Sequence, residues 1–171
     1  MDARHVDVEQ QLEELHEDSF GWALSCCGHH EADAEDVLQM TYARVISGRA
    51  VFKGKSSFRT WLFGVIRMVA LEQRRRRQRR SRLDARAVGH LELVSEPEAP
   101  KRIERSDLTR RLLRALADLP ERQREVLHLV FYDGLTVGEA AQVMGIGVGS
   151  ARTHYARGKD RLRVLLGEAD G

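Results

Sequence analysis

Long apolar runs, spaced cysteines and a leader-like amino terminus are all missing from this sequence of 171 residues. No apolar stretch approaches the ~20 residues that a bilayer-spanning helix needs. The first residues include Asp2 and Asp7 instead of the basic and then apolar segments of a signal peptide. The two cysteines, Cys26 and Cys27, are adjacent and form no ordinary disulfide framework. We therefore expect a cytoplasmic protein that does not insert into a membrane.

Catalytic signatures are also missing. The sequence contains no phosphate-binding glycine loop, serine elbow, metal-protease helix or paired-carboxylate layout, so we expect neither an enzyme nor a cofactor. Hydrophobic residues make up 42% and charged residues 32% of the chain, which is typical of a folded protein. The length suits one medium domain or two small ones.

Charge is distributed unevenly although the net charge is only +2. The first 40 residues are strongly acidic, with Arg4 as their one base, whereas residues 67–82 contain eight arginines and one acid, Glu72. This asymmetry indicates one surface for an anionic polymer and another surface for a different partner.

Helical spacing of apolar residues runs through most of the chain. It predicts helices at residues 6–22 and 33–46, a loop around Gly48 and Gly54, and a long helix from Phe58 into the arginine block. Residues 83–106 lack this spacing and contain Pro97 and Pro100, which predicts a flexible linker. Further helices are predicted within 108–119, 121–132, 136–144 and 148–166. The fold class is therefore all-α, with two small helical domains at 1–82 and 107–171.

The last two predicted helices have the layout of a DNA-reading helix-turn-helix. Small and apolar residues of the first helix suit a steep crossing, Gly145 supplies the turn, and Val148, Ala151, Tyr155 and Leu162 form the predicted buried side of the second. The opposite side is polar and cationic, as in a helix that lies in the major groove. An ordinary amphipathic helix with a solvated basic face is the alternative. A helix-turn-helix alone also leaves repressors, activators and response regulators open.

Three segments together resemble the extracytoplasmic-function (ECF) class of bacterial sigma factors. They are DAEDVLQMTYARV at 33–45, FKGKSSFRTWLFGVIRMVALEQRRRR at 52–77, and LADLPERQREVLHLVFYDGLTVGEAAQVMGIGVGSARTHYARGKDRL at 116–162. The resemblance implies a non-enzymatic subunit that binds core RNA polymerase and directs promoter-specific transcription initiation under control of an anti-sigma factor. It also implies that domain 1–82 binds the minus-ten element and polymerase, and that domain 107–171 reads the minus-thirty-five element. A dimeric operator-binding regulator is the competing function, and polymerase binding separates the two.

The resemblance assigns three sets of residues. The minus-ten set is Lys53, Lys55, Ser56, Phe58, Arg59, Thr60, Trp61, Arg67, Arg74 and Arg75. The minus-thirty-five set is Gly149, Ser150, Arg152, Thr153, His154 and Arg157. The polymerase set is Asp33, Glu35, Asp36, Leu38 and Gln39. For Phe58 and Trp61 core packing is the favoured alternative, because both share a helical stripe with Leu62 and Val65.

The sequence departs from its relatives at a few positions. Met68 stands where relatives commonly have an Asn that reads a minus-ten base, and Met40 and Gly147 replace a usual acid and a usual proline. These changes leave the base preference and the rigidity of the turn open. Glycines inside the predicted helices, at 138, 149 and 158, each cost ~1 kcal/mol relative to alanine.

One cluster has residue types that bind zinc or copper, namely Cys26, Cys27, His29 and His30. Adjacent ligands rarely converge on one tetrahedral centre, and a spaced Cys-x-x-Cys pair is missing. We therefore expect core or inert cysteines and no metal.

Overall fold

The structure is a computed structural model that describes residues 3–88 and 107–167. Within these ranges every regular element is a helix, and the chain divides into two compact units, Met1–Ala99 and Pro100–Gly171. Both observations confirm the predicted all-α, two-domain fold. Most of the predicted linker, residues 89–106, lies outside the described residues.

Over residues 3–88 the first unit forms four α-helices: α1 (Ala3–Glu14), α2 (His16–Cys26), α3 (Glu31–Ile46) and α4 (Phe58–Val88). The prediction of one helix over 6–22 is wrong, because the chain bends at Leu15, where φ is −95° and ψ is 5°. Helical hydrogen bonds continue on both sides of the bend, from Leu15 N to Gln11 O and from Ser19 N to Leu15 O. Apolar spacing detects such a bend poorly because the buried stripe passes through it.

The fourth helix is longer than the sequence predicted. α4 reaches Val88, so residues 83–88, which we placed in the linker, are helical. Leu83, Ala85, Arg86 and Ala87 have high helix propensity, which explains the extension although the apolar spacing has already ended.

The core of the first unit forms where α2, α3 and α4 meet. Trp22 and Phe63 are fully buried and their rings stack at a centroid distance of 6.1 Å. The Trp22 indole also donates a hydrogen bond from Nε1 to the Phe63 carbonyl at 3.0 Å. Val37 of α3 and Ile66 of α4 are fully buried in the same core, which fixes the three helices against each other.

The second unit contains α5 (Asp107–Ala117), α6 (Glu121–Leu127), a π-helical turn (His128–Tyr132), α7 (Val137–Met144) and α8 (Val148–Gly167). The predicted α-helix over 121–132 therefore changes to π geometry after Leu127. Asp133 follows this turn, and Leu135 N donates back to Leu129 O at 2.9 Å. Apolar spacing does not distinguish one π turn from α-helix, since the change shifts the period by only one residue.

Gly158 allows α6 and α8 to approach closely. It is buried, and a methyl group added there would lie 3.1 Å from Leu127 Cδ1 and 3.2 Å from Gln123 Cβ. Glycine at this position lowers the intrinsic stability of α8, but it is what allows α6 and α8 to pack this closely.

None of the helices described for residues 3–88 and 107–167 combines the length and the apolarity that a membrane crossing requires.

Candidate nucleic-acid and polymerase interfaces

The loop before α4 ends in a side-chain cap. Ser57 Oγ accepts a hydrogen bond from Thr60 N at 3.1 Å and donates one to Thr60 Oγ1 at 2.9 Å. Thr60 is only 2% exposed, so its side chain is not at the surface where the predicted minus-ten set placed it. Its place in that set is corrected: Thr60 lies inside the cap, where Ser57 Oγ satisfies the Thr60 amide that the helix leaves free, and the Thr60 hydroxyl only accepts a hydrogen bond from Ser57.

Three aromatic rings form a cluster at this end of α4, which we call the aromatic cluster: Phe52, Phe58 and Trp61. Their centroids are 5.3 to 5.5 Å apart. Phe58 is buried, as the core alternative expected, and Trp61 is half-buried, whereas Phe52 is 38% exposed. The sequence reasoning missed Phe52, although it begins the quoted segment FKGKSSF. Lys53 and Lys55 are exposed in the same loop, so cations stand close in sequence to accessible rings.

The predicted minus-ten arginines differ in what they contact. Arg59 donates to Asp18 of α2 at 3.0 Å, and its guanidinium lies 5.2 Å from the centre of the Phe63 ring. It therefore links α4 to α2. Arg67 is half-buried, while Arg74 and Arg75 are exposed. Arg74 and Arg75 are therefore more exposed to solvent than Arg59 and Arg67.

The predicted polymerase set contains residues with contacts inside the unit, namely Asp33 and Leu38, and residues that are exposed. Asp33 accepts hydrogen bonds from Arg77 at both carboxylate oxygens, and this contact lowers the pKa of Asp33 below its ordinary value of 3.8. Leu38 is only 3% exposed and packs in the core, so it can contact a partner only at the bottom of the groove that it lines. Glu35 and Asp36 remain exposed on α3, as does Gln39.

A groove of about 350 Å³ lies between α2 and α3. Its rim includes Glu35 and Gln39, and the other lining residues are His16, Phe20, Leu38 and Tyr42. His16 Nδ1 and Tyr42 Oη are hydrogen-bonded at 3.1 Å across the groove. Burial raises the pKa of Tyr42, so its hydroxyl stays protonated near neutral pH. The groove thus offers apolar side chains from Phe20 and Leu38 and one carboxylate, that of Glu35.

The two methionines at which we expect a departure from relatives, Met40 and Met68, have different surroundings. Met68 is exposed on α4, whereas Met40 is half-buried and its sulfur accepts a hydrogen bond from Gln73 Nε2 at 2.8 Å. Next to it, Arg44 and Glu72 form an ion pair at 2.6 Å that lowers the pKa of Glu72. The position of Met40 therefore serves the contact between α3 and α4.

The helix-turn-helix of the second unit is formed by α7 and α8. A capping box begins α7: Glu139 N donates to Thr136 Oγ1 at 3.1 Å, and Thr136 N donates to Glu139 Oε2 at 2.8 Å. Gly145 ends the helix with φ of 64°, a conformation that glycine adopts without steric cost. Ala140 and Ala141 are buried, as the predicted helix crossing requires.

The amino-terminal part of α8 presents the predicted minus-thirty-five set. Ala151 is fully buried and fixes the face of the helix, so the exposed side contains Gly149, Ser150, Arg152, Thr153 and Arg157. His154 is half-buried at its edge. Val148 is exposed, so its prediction on the buried side is wrong: it starts the helix, ahead of the first packed turn.

A second group of rings, which the sequence reasoning missed, lies on the π-helical turn. Phe131 and Tyr132 are 64% and 73% exposed. Phe131 stacks on Tyr155 of α8 at a centroid distance of 5.8 Å, and Lys159 Nζ lies 4.6 Å from the Tyr155 ring centre. The only sequence signal is the pair of aromatics at the end of the apolar series.

The cysteine and histidine cluster forms the turn between α2 and α3. Gly28 and His29 have φ of 62° and 66°, and His29 N donates to Leu24 O at 2.8 Å, which closes the end of α2. Burial raises the pKa of the Cys27 thiol to about 11, so its metal-binding thiolate form is disfavoured. Among the described residues, no three of the ligand-type side chains converge on one point.

Comparisons with known proteins follow the same division into two units. Residues 12–80 match the family model for sigma-70 region 2, and residues 109–162 match the model for sigma-70, region 4. The chain is 30% identical over 145 residues to the ECF RNA polymerase sigma factor EcfG of Rhodopseudomonas palustris, with 85% of this chain and 77% of the relative covered. It is 34% identical over 137 residues to ECF sigma factor SigC of Mycobacterium tuberculosis, with 80% and 70% covered.

Solved structures give the same result. The sigma factor RpoE of Bartonella quintana, in complex with the anti-sigma factor NepR, is 28% identical with a TM-score of 0.72, and 94% of this chain and 96% of that chain are covered. CnrH in complex with the cytosolic domain of CnrY is 26% identical with a TM-score of 0.61, covering 95% and 88%. With both sigma-70 regions present in order and curated relatives above 30% identity over most of the chain, this protein belongs to the ECF family of RNA polymerase sigma factors.

Proposed function

We propose that this chain binds core RNA polymerase in the cytoplasm as a dissociable sigma subunit and directs promoter-specific initiation without catalytic chemistry of its own. The observation that carries the proposal is the order of a region 2 unit and a region 4 unit, the second with an exposed, polar and cationic helix. Neither unit needs a reactive group for this role, because recognition uses hydrogen bonds, stacking and charge.

The minus-ten element binds at the aromatic cluster and the loop before it. Unstacked bases bind aromatic rings with ~1 to 3 kcal/mol per base, and Phe52 and Trp61 are the accessible rings. Lys53 and Lys55 supply cations for phosphates of the melted strand, and Ser56 adds a hydroxyl. Arg74 and Arg75, further along α4, bind phosphates of the same element.

The minus-thirty-five element binds α8 in its major groove. Arg152 and Arg157 are exposed on α8, as are Ser150 and Thr153, whereas Ala151 is buried. An arginine that reads a guanine edge with two hydrogen bonds contributes ~1 to 3 kcal/mol of discrimination. Arg152 is therefore the residue whose loss changes sequence preference most.

Core polymerase docks on the groove between α2 and α3. Glu35 and Gln39 are exposed at its edge, where the Glu35 carboxylate attracts a basic helix and the Gln39 amide can form hydrogen bonds, while the apolar floor gives the docked helix a surface to bury. Asp36 is exposed on α3 beside the groove and adds negative charge to the same helix. Asp33 acts indirectly, since its ion pair with Arg77 holds the start of α3 against α4.

An anti-sigma factor controls this chain. The support is the solved relative RpoE, which is bound to the anti-sigma factor NepR and covers nearly the whole of this chain. Such a partner would act by covering surfaces that polymerase and promoter use.

Transcription of a genomic library by core polymerase tests the proposal directly. With this chain present, new start sites should share two sequence elements, and Arg152→Ala should change the preferred upstream element. Arg163→Ala is the matched control. Arg163 is also an exposed arginine of α8, but it lies about two turns beyond Arg157 and forms an ion pair with Asp160, so its loss should leave the preferred element unchanged. Initiation that is identical with and without the chain would contradict the proposal.

A further inference from the structure

An ion pair between Asp33 and Arg77 joins the acidic start of α3 to the arginine block of α4. Both terminal nitrogens of the guanidinium donate hydrogen bonds, one to each carboxylate oxygen. The contact lowers the pKa of Asp33 and raises the pKa of Arg77, so each partner stabilises the ionised form of the other. A residue of the predicted polymerase set is thus paired with a residue of the basic segment.

The packing of the first unit does not depend on this pair. The Arg77 side chain is 54% exposed and the Asp33 side chain 23% exposed, and an exposed ion pair shifts an equilibrium by only about 1.5- to 5-fold. Val37 and Ile66 already hold α3 against α4 in the core, and Arg44 and Glu72 form a second ion pair between the same helices. The Asp33 contact can therefore open while the two helices stay packed.

While the pair is formed, Arg77 is withheld from other anions. Arg74, which the proposed function assigns to DNA phosphates, lies three residues earlier in α4, so the two side chains are neighbours on one face of the helix. A guanidinium binds phosphate through the same parallel donors that it uses for a carboxylate. Asp33 therefore occupies the donors and neutralises the charge that would continue the phosphate contact of Arg74 by about one turn.

We infer that the Asp33–Arg77 ion pair is an autoinhibitory contact, which keeps Arg77 from DNA phosphates in the free chain and is released when polymerase docks on α3. The inference rests on the proposed function. Glu35 and Asp36 are exposed next to Asp33 and attract the basic surface of the polymerase. Asp33 is partly exposed itself, so a cation of that surface can replace Arg77 as its partner. DNA binding by this segment is then strongest in the assembled polymerase.

The first experiment measures binding of the full chain, without polymerase, to a fluorescent duplex of about 20 base pairs that lacks promoter elements, over about 50 to 200 mM salt. Asp33→Asn should bind more tightly than the parent, and its slope of log affinity against log salt should be steeper by ~0.9, because one more phosphate contact forms. Glu35→Gln is the matched control, since it removes the same charge from α3 at a residue that lines the groove. It should leave the slope nearly unchanged.

Arg77→Gln identifies the cation that Asp33 withholds. In the parent it should change the slope by less than ~0.3, whereas in the Asp33→Asn background it should remove the whole gain of ~0.9. Thermal unfolding checks that each variant folds like the parent.

Four results would overturn the inference. Equal gains in Asp33→Asn and Glu35→Gln would show that net charge alone matters. A slope loss of ~0.9 from Arg77→Gln in the parent would show that Arg77 already binds DNA there. A gain in Asp33→Asn that survives Arg77→Gln would assign it to another cation. No gain in Asp33→Asn, including binding that stays undetectable at low salt, would show that the pair withholds nothing.

The second experiment tests release, with core polymerase and a promoter found by the library transcription. Arg77→Gln should now weaken the promoter complex several-fold and reduce its salt slope by ~0.9. Arg163→Gln is the control, because it also removes an arginine from an exposed ion pair with an aspartate. An unchanged promoter complex in Arg77→Gln would overturn release by polymerase. The first experiment contains no polymerase, so a chain that fails to bind polymerase still gives a separate result for the ion pair.

Discussion

Replacing Gly158 by alanine tests the close contact between α6 and α8. The new methyl group would lie 3.1 Å from Leu127 Cδ1, 3.2 Å from Gln123 Cβ and 3.3 Å from Leu127 Cγ. Overpacking of this kind costs ~1 to 3 kcal/mol, whereas the reduced entropy of the unfolded chain contributes ~0.4 to 1 kcal/mol in favour of alanine. Because Gln123 Cβ is attached directly to its backbone and cannot rotate away, we expect a net destabilisation of about 1 kcal/mol.

Hydrogen exchange of the amides in α6 and α8 is the suitable assay, because both tryptophans, Trp22 and Trp61, lie in the first unit and do not report on the second. A loss of 1 kcal/mol corresponds to exchange about five-fold faster. Gly149→Ala is the control, since a methyl group there meets no atom within 4 Å, and it should slow exchange slightly. If Gly158→Ala protects these amides as much as Gly149→Ala does, the packing argument is refuted.

Three further predictions concern the ion pair, the cap and the thiol. Arg77 lowers the pKa of Asp33 below 3.8, so the ion pair stabilises the folded protein above that pH and loses its effect as the pH falls. We expect Asp33→Asn to lower the free energy of unfolding by about 0.5 kcal/mol at pH 7 and by progressively less in acid, as measured by urea unfolding. Thr136→Ala should destabilise the second unit by about 1 kcal/mol, with faster exchange in α7 as the measurement. Burial raises the pKa of Cys27 to about 11, so the thiol should be alkylated at pH 8 about 10-fold more slowly than in the unfolded chain, because the lower thiolate fraction is partly offset by the higher reactivity of a more basic thiolate. Equal rates in a Cys26→Ser background would disprove its burial.

The sequence was sufficient for the fold class and for most of the buried stripes, with Val148 as an exception. Leu62 and Val65 of the predicted stripe are core residues because apolar side chains at helical spacing must face the neighbouring helices, and that rule is local. The same reasoning found the helix-turn-helix, because Gly145 and the small residues of α7 are needed wherever two helices cross at a tight turn.

Contacts between distant residues could not be predicted in this way. The pairing of Asp33 with Arg77 depends on how α3 packs against α4, and charge patterning alone had placed the two residues on separate binding surfaces. Leu38 and Thr60 were predicted at surfaces but are buried for the same reason, because the face that a neighbour covers depends on packing. Phe52 was missed because it precedes α4 and joins the aromatic cluster only when the loop folds back.

Because α4 is one continuous helix from Phe58 to Val88, its length determines which direction each side chain faces, and this limits the insertions and deletions that evolution can accept. One inserted residue between Trp61 and Arg75 would rotate every following side chain by about 100° around the axis, whereas seven inserted residues would restore the orientation to within about 20°. Insertions and deletions in this helix should therefore be tolerated in steps of whole heptads, even where each single position accepts many amino acids.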